Sequence, residues 1–296
     1  MDRLKQTMPE ALPYARQIAA TRAARVTRLR SDTGWLSVVG KVFLDRTTPA
    51  VRVGSAPDCE ARLPMGAPAF VGTLRIEHGL VRITLPYGSP GAPRERVLGS
   101  DRDGKADSLD AGGFRLEVME RGDVFALRVR DVRELPRPFA GIDYFPVDIA
   151  WRKEARLVPH TQATALELDY EGPPLHSASG GTAADISDKF ESPGVLVFDA
   201  AEGEQRLTAV YTDGARARLY VLFRDGTAPA ESYPTGRFLY AAPPDASGRV
   251  VLDFNEAMIP GCAFSIHATC PIPPRDNRLS VRIPAGEKNY LGDPVG

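Results

Sequence analysis

Cysteine, histidine and long apolar runs are all scarce in this chain. Only 3 Cys and 4 His occur among its 296 residues. Cys59, Cys262 and Cys270 are too few for a disulfide scaffold, and an odd count suits a reducing compartment. No apolar stretch approaches the roughly 20 residues of a membrane span. The opening Met1-Asp2-Arg3-Leu4-Lys5 is not followed by a signal-like apolar run, so a cytoplasmic location without a membrane partner is expected. An excess of charge is missing as well, with 37 Lys+Arg against 38 Asp+Glu. A balanced chain has no global field to hold a polyanion, so nucleic acid is not expected as a partner. Three catalytic signatures are absent: the G-x-S-x-G elbow, the G-x-x-x-x-G-K-[ST] loop and the H-E-x-x-H zinc helix. No cofactor is called for.

What is present builds a core. At 43% hydrophobic and 25% charged, the composition is that of a folded globular chain. Gly 27 and Pro 26 make up about 18% of it against roughly 12% in ordinary usage, which implies many turns and hence many strands. Residues 1–32 form the basic N-terminal segment, whose first thirty residues carry Arg3, Lys5, Arg16, Arg22, Arg25, Arg28 and Arg30 against only Asp2 and Glu10. Ile18, Ala19, Val26 and Leu29 fall on roughly one helical face there, predicting an amphipathic basic helix whose arginines face solvent. Such a helix could instead hold an acidic protein partner.

From residue 33 to 135 the hydrophobic period is two. Leu74 and Ile76, then Val81, Ile83 and Leu85, alternate with polar residues about His78-Gly79 and predict a hairpin. A second hairpin sets Phe114, Leu116 and Val118 against Phe125, Leu127 and Val129 across Arg121-Gly122-Asp123. Together these strands predict a β-sandwich. Residues 136–152 hold Pro136, Pro138 and Pro146 and read as a connector. A second β module follows over 153–296, with strand-like runs at Leu166–Tyr170, Val195–Phe198, Leu207–Tyr211, Leu219–Phe223, Phe238–Tyr240, Val250–Phe254 and Leu279–Ile283. Gly172 to Asp185 reads as a mobile loop. The fold class is therefore mainly β: an N-terminal helix, a sandwich and a further β module.

Several motifs carry chemistry. Asp101-x-Asp103-Gly104-x-x-Asp107 has the oxygen spacing of a calcium loop, but it lacks a closing bidentate Glu, and Lys105 stands inside it. Cys262, His267 and Cys270 lie within nine residues. They could be buried small hydrophobes, candidate reactive thiols beside an imidazole, or part of a zinc set lacking paired C-x2-C units. No metal site is inferred. Ser177-Ala178-Ser179-Gly180-Gly181-Thr182 is glycine-rich without a helix to present to a phosphate. The last seventy positions concentrate polar groups at strand ends and turns, including Asp225, Thr227, Tyr233, Arg237, Asp253, Asn255, Asn277, Arg278, Glu287 and Lys288. Two readings stand open. In one, Arg237 neutralises Asp253 or Glu287 inside a buried structural network. In the other, the cluster is a ligand site.

At these residues the sequence resembles the family catalogued as domain of unknown function 1684. The resemblance is carried by Phe223-x-Asp225-x-Thr227, Ser232-Tyr233-x-x-Gly236-Arg237-Phe238-Leu239, Leu252-Asp253-Phe254-Asn255, Cys262-Ala263-Phe264, Thr269-Cys270-Pro271-Ile272-Pro273, Asn277-Arg278-Leu279 and Ala285-Gly286-Glu287-Lys288-x-Tyr290. Upstream, Tyr144-Phe145-Pro146-Val147-Asp148 looks like the same family. It implies candidate positions and a fold rather than a reaction. Val51-Arg52-Val53-Gly54-Ser55 is more faintly similar to the start of a forkhead-associated sandwich, without the residues that read phosphothreonine.

The expectation is a C-terminal module that binds a small polar or anionic molecule, with hydrolase-like action as an extension. Arg237 and Lys288 would anchor the anion, Asp253 or Glu287 would act as general base, and Asn255, Asn277 and Tyr233 would orient it. The alternative is a non-catalytic interaction protein using the helix and sandwich.

Overall fold

The computed structural model describes residues 8–44, 50–86, 94–102, 104–122, 124–133, 138–171, 175–176, 182–183, 186–212 and 214–296. Helix α1 spans Met8–Arg30. Its inward stripe is Tyr14, Ile18, Arg22, Arg25 and Leu29, three or four residues apart as helical geometry requires. Ile18, Arg25 and Leu29 are buried, whereas Ala19 on the predicted apolar face is exposed. Thus two of the arginines expected in solvent belong to the packed face. The helix ends at Ser31–Gly34, where a Cβ on Gly34 would collide with the carbonyls of Arg28 and Leu29.

The predicted sandwich forms from nine strands: β1 (Val38–Leu44), β2 (Val51–Gly54), β3 (Ala61–Arg62), β4 (Gly72–Glu77), β5 (Leu80–Thr84), β6 (Glu95–Leu98), β7 (Ser108–Ala111), β8 (Phe114–Arg121) and β9 (Val124–Asp131). One sheet runs β1-β9-β8-β7 and the other β3-β2-β4-β5-β6. Both expected hairpins are present. Glu77 pairs with Leu80 around His78 and Gly79, whose φ values of 51° and 76° are those of a tight primed turn. Leu116 pairs with Val129 and Val118 with Leu127. The alternating apolar side chains of both sheets meet in one core that includes Val53, Leu74, Ile83, Phe114, Leu116 and Leu127.

A second, antiparallel sheet begins with the long strand β10 (Arg152–Glu171). Short strands β11 (Leu175–His176) and β12 (Thr182–Ala183) pair with each other. They are followed by β13 (Ile186–Ala200), β14 (Gly203–Tyr211), β15 (Leu219–Phe223), β16 (Arg237–Ala241), β17 (Arg249–Asp253) and β18 (Cys270–Pro271). The sheet order is β16-β15-β14-β13-β10-β17, with β18 joined to β10, and the whole curls into a half-barrel. Apart from β11 and β12, the expected loop at 172–185 lies outside the described residues.

The β10–β13 hairpin bends where its register shifts between Pro159 and Thr164. Gly194 stands opposite Pro159 at φ 156°, and a Cβ there would collide with the Val158 carbonyl. Beyond the bend the hairpin arm reaches the first sandwich. Tyr170 packs with Phe43, Met119 and Ala126, and the Gly122 amide donates to Asp188 at 2.7 Å.

Alternation gives the second sheet two apolar faces. Leu219, Val221 and Phe223 point into a core with Leu196, Leu239 and Phe254. Tyr220 and Leu222 point the other way, toward Leu168, Phe190, Phe238 and Tyr240.

One expected strand is not one. Among the described residues Leu279–Ile283 pairs with no neighbouring strand, because its backbone groups are taken elsewhere. The Leu279 amide donates to the Arg224 carbonyl, the Val281 carbonyl accepts from Gly226, and Ile283 engages Asp225 and Arg237.

Phe254 packs edge-to-face against Trp151 and Phe223 and at a tilt against Phe198, at centroid distances of 6.4, 5.3 and 5.4 Å. Phe254→Ala should therefore lower unfolding free energy by about 3–5 kcal/mol in urea titrations. A loss below about 1 kcal/mol would mean that this ring is not central to the core.

Candidate functional site

The polar residues singled out by sequence do not share one space. Arg237 opens β16 and is fully buried. One of its terminal nitrogens donates to Asp225 at 2.9 Å and the Ile283 carbonyl at 2.8 Å. The other donates to the carbonyls of Ala285 and Glu287. Asp225 in turn accepts from the Ile283 amide at 2.7 Å and the Thr227 hydroxyl at 3.0 Å. This is the structural-network reading, with Asp225 as the counter-ion in place of Asp253 or Glu287. Gly236 precedes Arg237 at φ 127°, where a Cβ would press on the Phe223 carbonyl.

Asn277 is also a stitch between strands. Its amide group donates to the Thr208 and Leu222 carbonyls at 2.9 and 2.7 Å and accepts from the Thr208 amide at 2.7 Å. Asp253 and Asn255 do lie together, but through a 3-10 turn over Phe254–Glu256 that Asp253 caps rather than through strand alternation. Asp253 accepts from the Tyr14 hydroxyl at 2.8 Å, and Asn255 clasps the Asp148 backbone. The Tyr14 phenol is raised well above its usual pKa, first by burial and then by the hydrogen bond to Asp253.

Glu287 is buried, with one oxygen on the Arg25 Nε at 3.0 Å and the other on the Ile259 amide at 2.8 Å. Lys288 lies 5.0 Å over the Phe145 ring. The Tyr233 hydroxyl donates to Cys262 Sγ at 3.5 Å.

Two sequence expectations are corrected here. Cys262 and Cys270 are joined by a disulfide with Cα atoms 5.7 Å apart, so neither is a reactive thiol or a zinc thiolate. The turn at Gly261–Ala263 brings them together, a closure invisible in their spacing. The inference of a reducing compartment from an odd cysteine count loses its premise. Cys59 is free and buried, as a small hydrophobe. His267 stands half-buried nearby, its imidazole pushed down first by burial and then by the Lys41 ammonium. Of the calcium-like loop, Asp103 lies outside the described residues and Asp101 is otherwise engaged. Burial raises the Asp101 carboxyl, but the hydrogen bond and charge of Arg121, with the charge of Arg128, outweigh it and hold Asp101 below its usual range.

Of the predicted residues, Asn255 and Glu287 line a cavity of about 370 Å³, and what surrounds them was not foreseen. Helix α1 contributes Thr21, Arg22, Arg25 and Arg28 to it, Arg218 precedes β15, and Tyr144 comes from the expected connector. That connector is no free linker. Tyr144 bridges Glu287, and Phe145 is buried and donates its amide to the Gly286 carbonyl at 3.0 Å. Arg22 lies 4.2 Å over the Tyr144 ring and donates to the Phe145 carbonyl at 3.1 Å. Yet the Arg22 Nε and the Tyr144 hydroxyl are buried without a hydrogen-bond partner among the described residues. Burial first, and then the Glu287 charge, push the Tyr144 phenol up to about 12, so it remains a donor at neutral pH. The available signal for these arginines was their phase with Tyr14, Ile18 and Leu29.

The family described as "Protein of unknown function (DUF1684)" matches residues 137–288, more than half of the chain. The chain belongs to the DUF1684 family. The matched segment holds Tyr144, Arg218, Asn255 and Glu287 of the DUF1684 cavity, while the α1 arginines precede it. An uncharacterised protein of Haloarcula marismortui, solved in solution by NMR, is 30% identical to this DUF1684 chain. The match covers 52% of this chain and 80% of that one, with a TM-score of 0.41. No curated protein matches the sequence.

Two measurements check these assignments. Arg237→Met strands the Asp225 carboxylate and should cost about 3–5 kcal/mol of stability, with partial recovery when Asp225→Asn is added. Thiol titration of denatured, unreduced protein should find only Cys59 reactive, whereas reduction should expose all three cysteines.

Proposed function

We propose that this protein binds a small anion, or the anionic group of a larger molecule, in the cavity between α1 and the C-terminal sheet. The observation that carries this reading is that Arg22 and Tyr144, both lining this cavity, each hold a buried donor, the Nε and the hydroxyl, with no partner among the described residues. A buried donor demands an acceptor, and an acceptor that answers a guanidinium in a partly desolvated site is best supplied by a carboxylate, sulfate or phosphate. The charge balance agrees. Arg22, Arg25, Arg28 and Arg218 line the space against Glu256 and Glu287, and Glu287 is already matched by Arg25.

The anion partner is the one expected from sequence, but its anchors are the helix arginines rather than Arg237 and Lys288. Binding is favoured over hydrolysis because the two carboxylates expected from sequence as the general base are occupied. Asp253 accepts from Tyr14, and Glu287 has both oxygens engaged.

Sulfate tests the reading because its charge is constant from mildly acidic to alkaline pH. Calorimetric titration should show saturable binding, and Arg22→Met should weaken it about tenfold or more, the value of one charge-assisted hydrogen bond. Absence of saturable sulfate and acetate binding in the millimolar range would overturn the proposal.

Acidity should modulate it in a defined direction. The Glu256 carboxyl is raised above its usual range by burial first and by the Asp253 charge next. Its negative charge is therefore lost as pH falls through that raised value, and sulfate affinity should rise over the same interval. Glu256→Gln should flatten the profile and bind more tightly at neutral pH.

A further inference from the structure

The anion cavity adjoins a much larger cleft of about 1210 Å³, lined by the β10–β13 arm, the sandwich and the outer face of the second sheet. Trp35, Phe238 and Tyr240 line both spaces. The wall they share is aromatic and continuous with Tyr220, whose ring centroid lies 5.3 Å from both Phe238 and Tyr240. Phe238 and Tyr240 are only half-buried, and so is Trp35. Trp35 is seated against the backbone of Gly261, where any Cβ would collide with the indole. Arg218 lies 4.4 Å over the Tyr240 ring, at the junction of the two spaces.

An alkyl chain gains from any apolar wall. A planar ring gains specifically from flat aromatic faces beside a cation. Farther along, the cleft is lined by charged pairs, including Asp101 with Arg121 and Asp188. A chain running on from the aromatic wall would desolvate these charges without pairing them. We infer that the ligand is an aromatic anion, with its negative group among Arg22, Arg28 and Tyr144 and its ring on the Trp35, Phe238 and Tyr240 wall. This rests on the anion-binding reading above and adds the class of molecule.

The test uses the full chain and four probes: acetate for the charge alone, naphthoate for charge with ring, octanoate for charge with chain, and neutral naphthol for the ring alone. Naphthoate should bind about tenfold or more tightly than acetate, the scale of one favourable aromatic contact beyond the shared charge, and more tightly than octanoate. Phe238→Leu, which keeps apolar bulk but removes the flat face, should reduce the naphthoate-to-acetate ratio several-fold. Trp35 fluorescence in a Trp151→Phe background should be quenched by naphthoate. Octanoate binding as tightly as naphthoate, or an unchanged ratio in Phe238→Leu, would overturn the aromatic inference while leaving anion binding intact. Naphthol binding as well as naphthoate, or no binding of either acid, would overturn the anion reading and this inference with it.

Discussion

Glu287 is nearly removed from water, and a carboxylate in that position is tolerable only with a charged partner and further donors. Arg25 supplies the charge, and the Ile259 amide supplies the second hydrogen bond. Because Arg25 comes from α1 and Glu287 from the end of the chain, this contact sets the helix against the C-terminal module in a single rotation. Once Arg25 points inward, helical geometry places Arg22 on the same face one turn earlier and Leu29 one turn later. Tyr14 then meets Asp253 two turns before Arg22. Tyr144 faces Glu287 across a backbone β-bridge, and the connector is held there by the Phe145 amide on the Gly286 carbonyl and the Lys288 amide on the Asp143 carbonyl. The cavity is a by-product of this docking, bounded by the helix on one side and the sheet edge on the other.

The polar residues that crowd the last seventy positions divide into two kinds of work. Arg237, Asp225 and Asn277 replace missing strand pairing, since they satisfy backbone groups in segments too irregular to form a ladder. The stretch around Ile283 and Ala285 is held almost entirely in this way. Asp253, Asn255 and Glu287 receive the helix and connector. Only Asn255 and Glu287 also reach the cavity. A cluster of polar residues in sequence can therefore be a set of structural stitches and still border a binding space, provided other elements bring the unmatched donors.

Much of the architecture was legible along the chain. Alternation about His78-Gly79 and between Phe114 and Val129 identified hairpins because a two-residue period with one buried face leaves little freedom of register. The runs at Leu219–Phe223 and Phe238–Tyr240 were legible for a different reason, as short continuous apolar stretches of strand length that pack on both faces. Leu279–Ile283 misled because its side chains alternate into the core while its backbone bonds go to Arg237, Asp225 and nearby turns, which no hydrophobic pattern records. The α1 arginines misled because a guanidinium in a helical stripe normally faces water. Arg22 and Arg25 face inward only because acceptors from residues more than a hundred positions away lie there.

Composition and periodicity by themselves determined that this is a mainly β chain with a basic N-terminal helix, for those properties depend on near neighbours and on the partition of apolar side chains from water. Tertiary structure alone decided that Cys262 meets Cys270, that Arg237 is paired with Asp225, and that Arg22 and Tyr144 share a cavity with unmatched donors. These are contacts between groups whose sequence separation carries no signal, and they arise only when the curl of a sheet and the docking of a helix bring distant segments within a few ångströms.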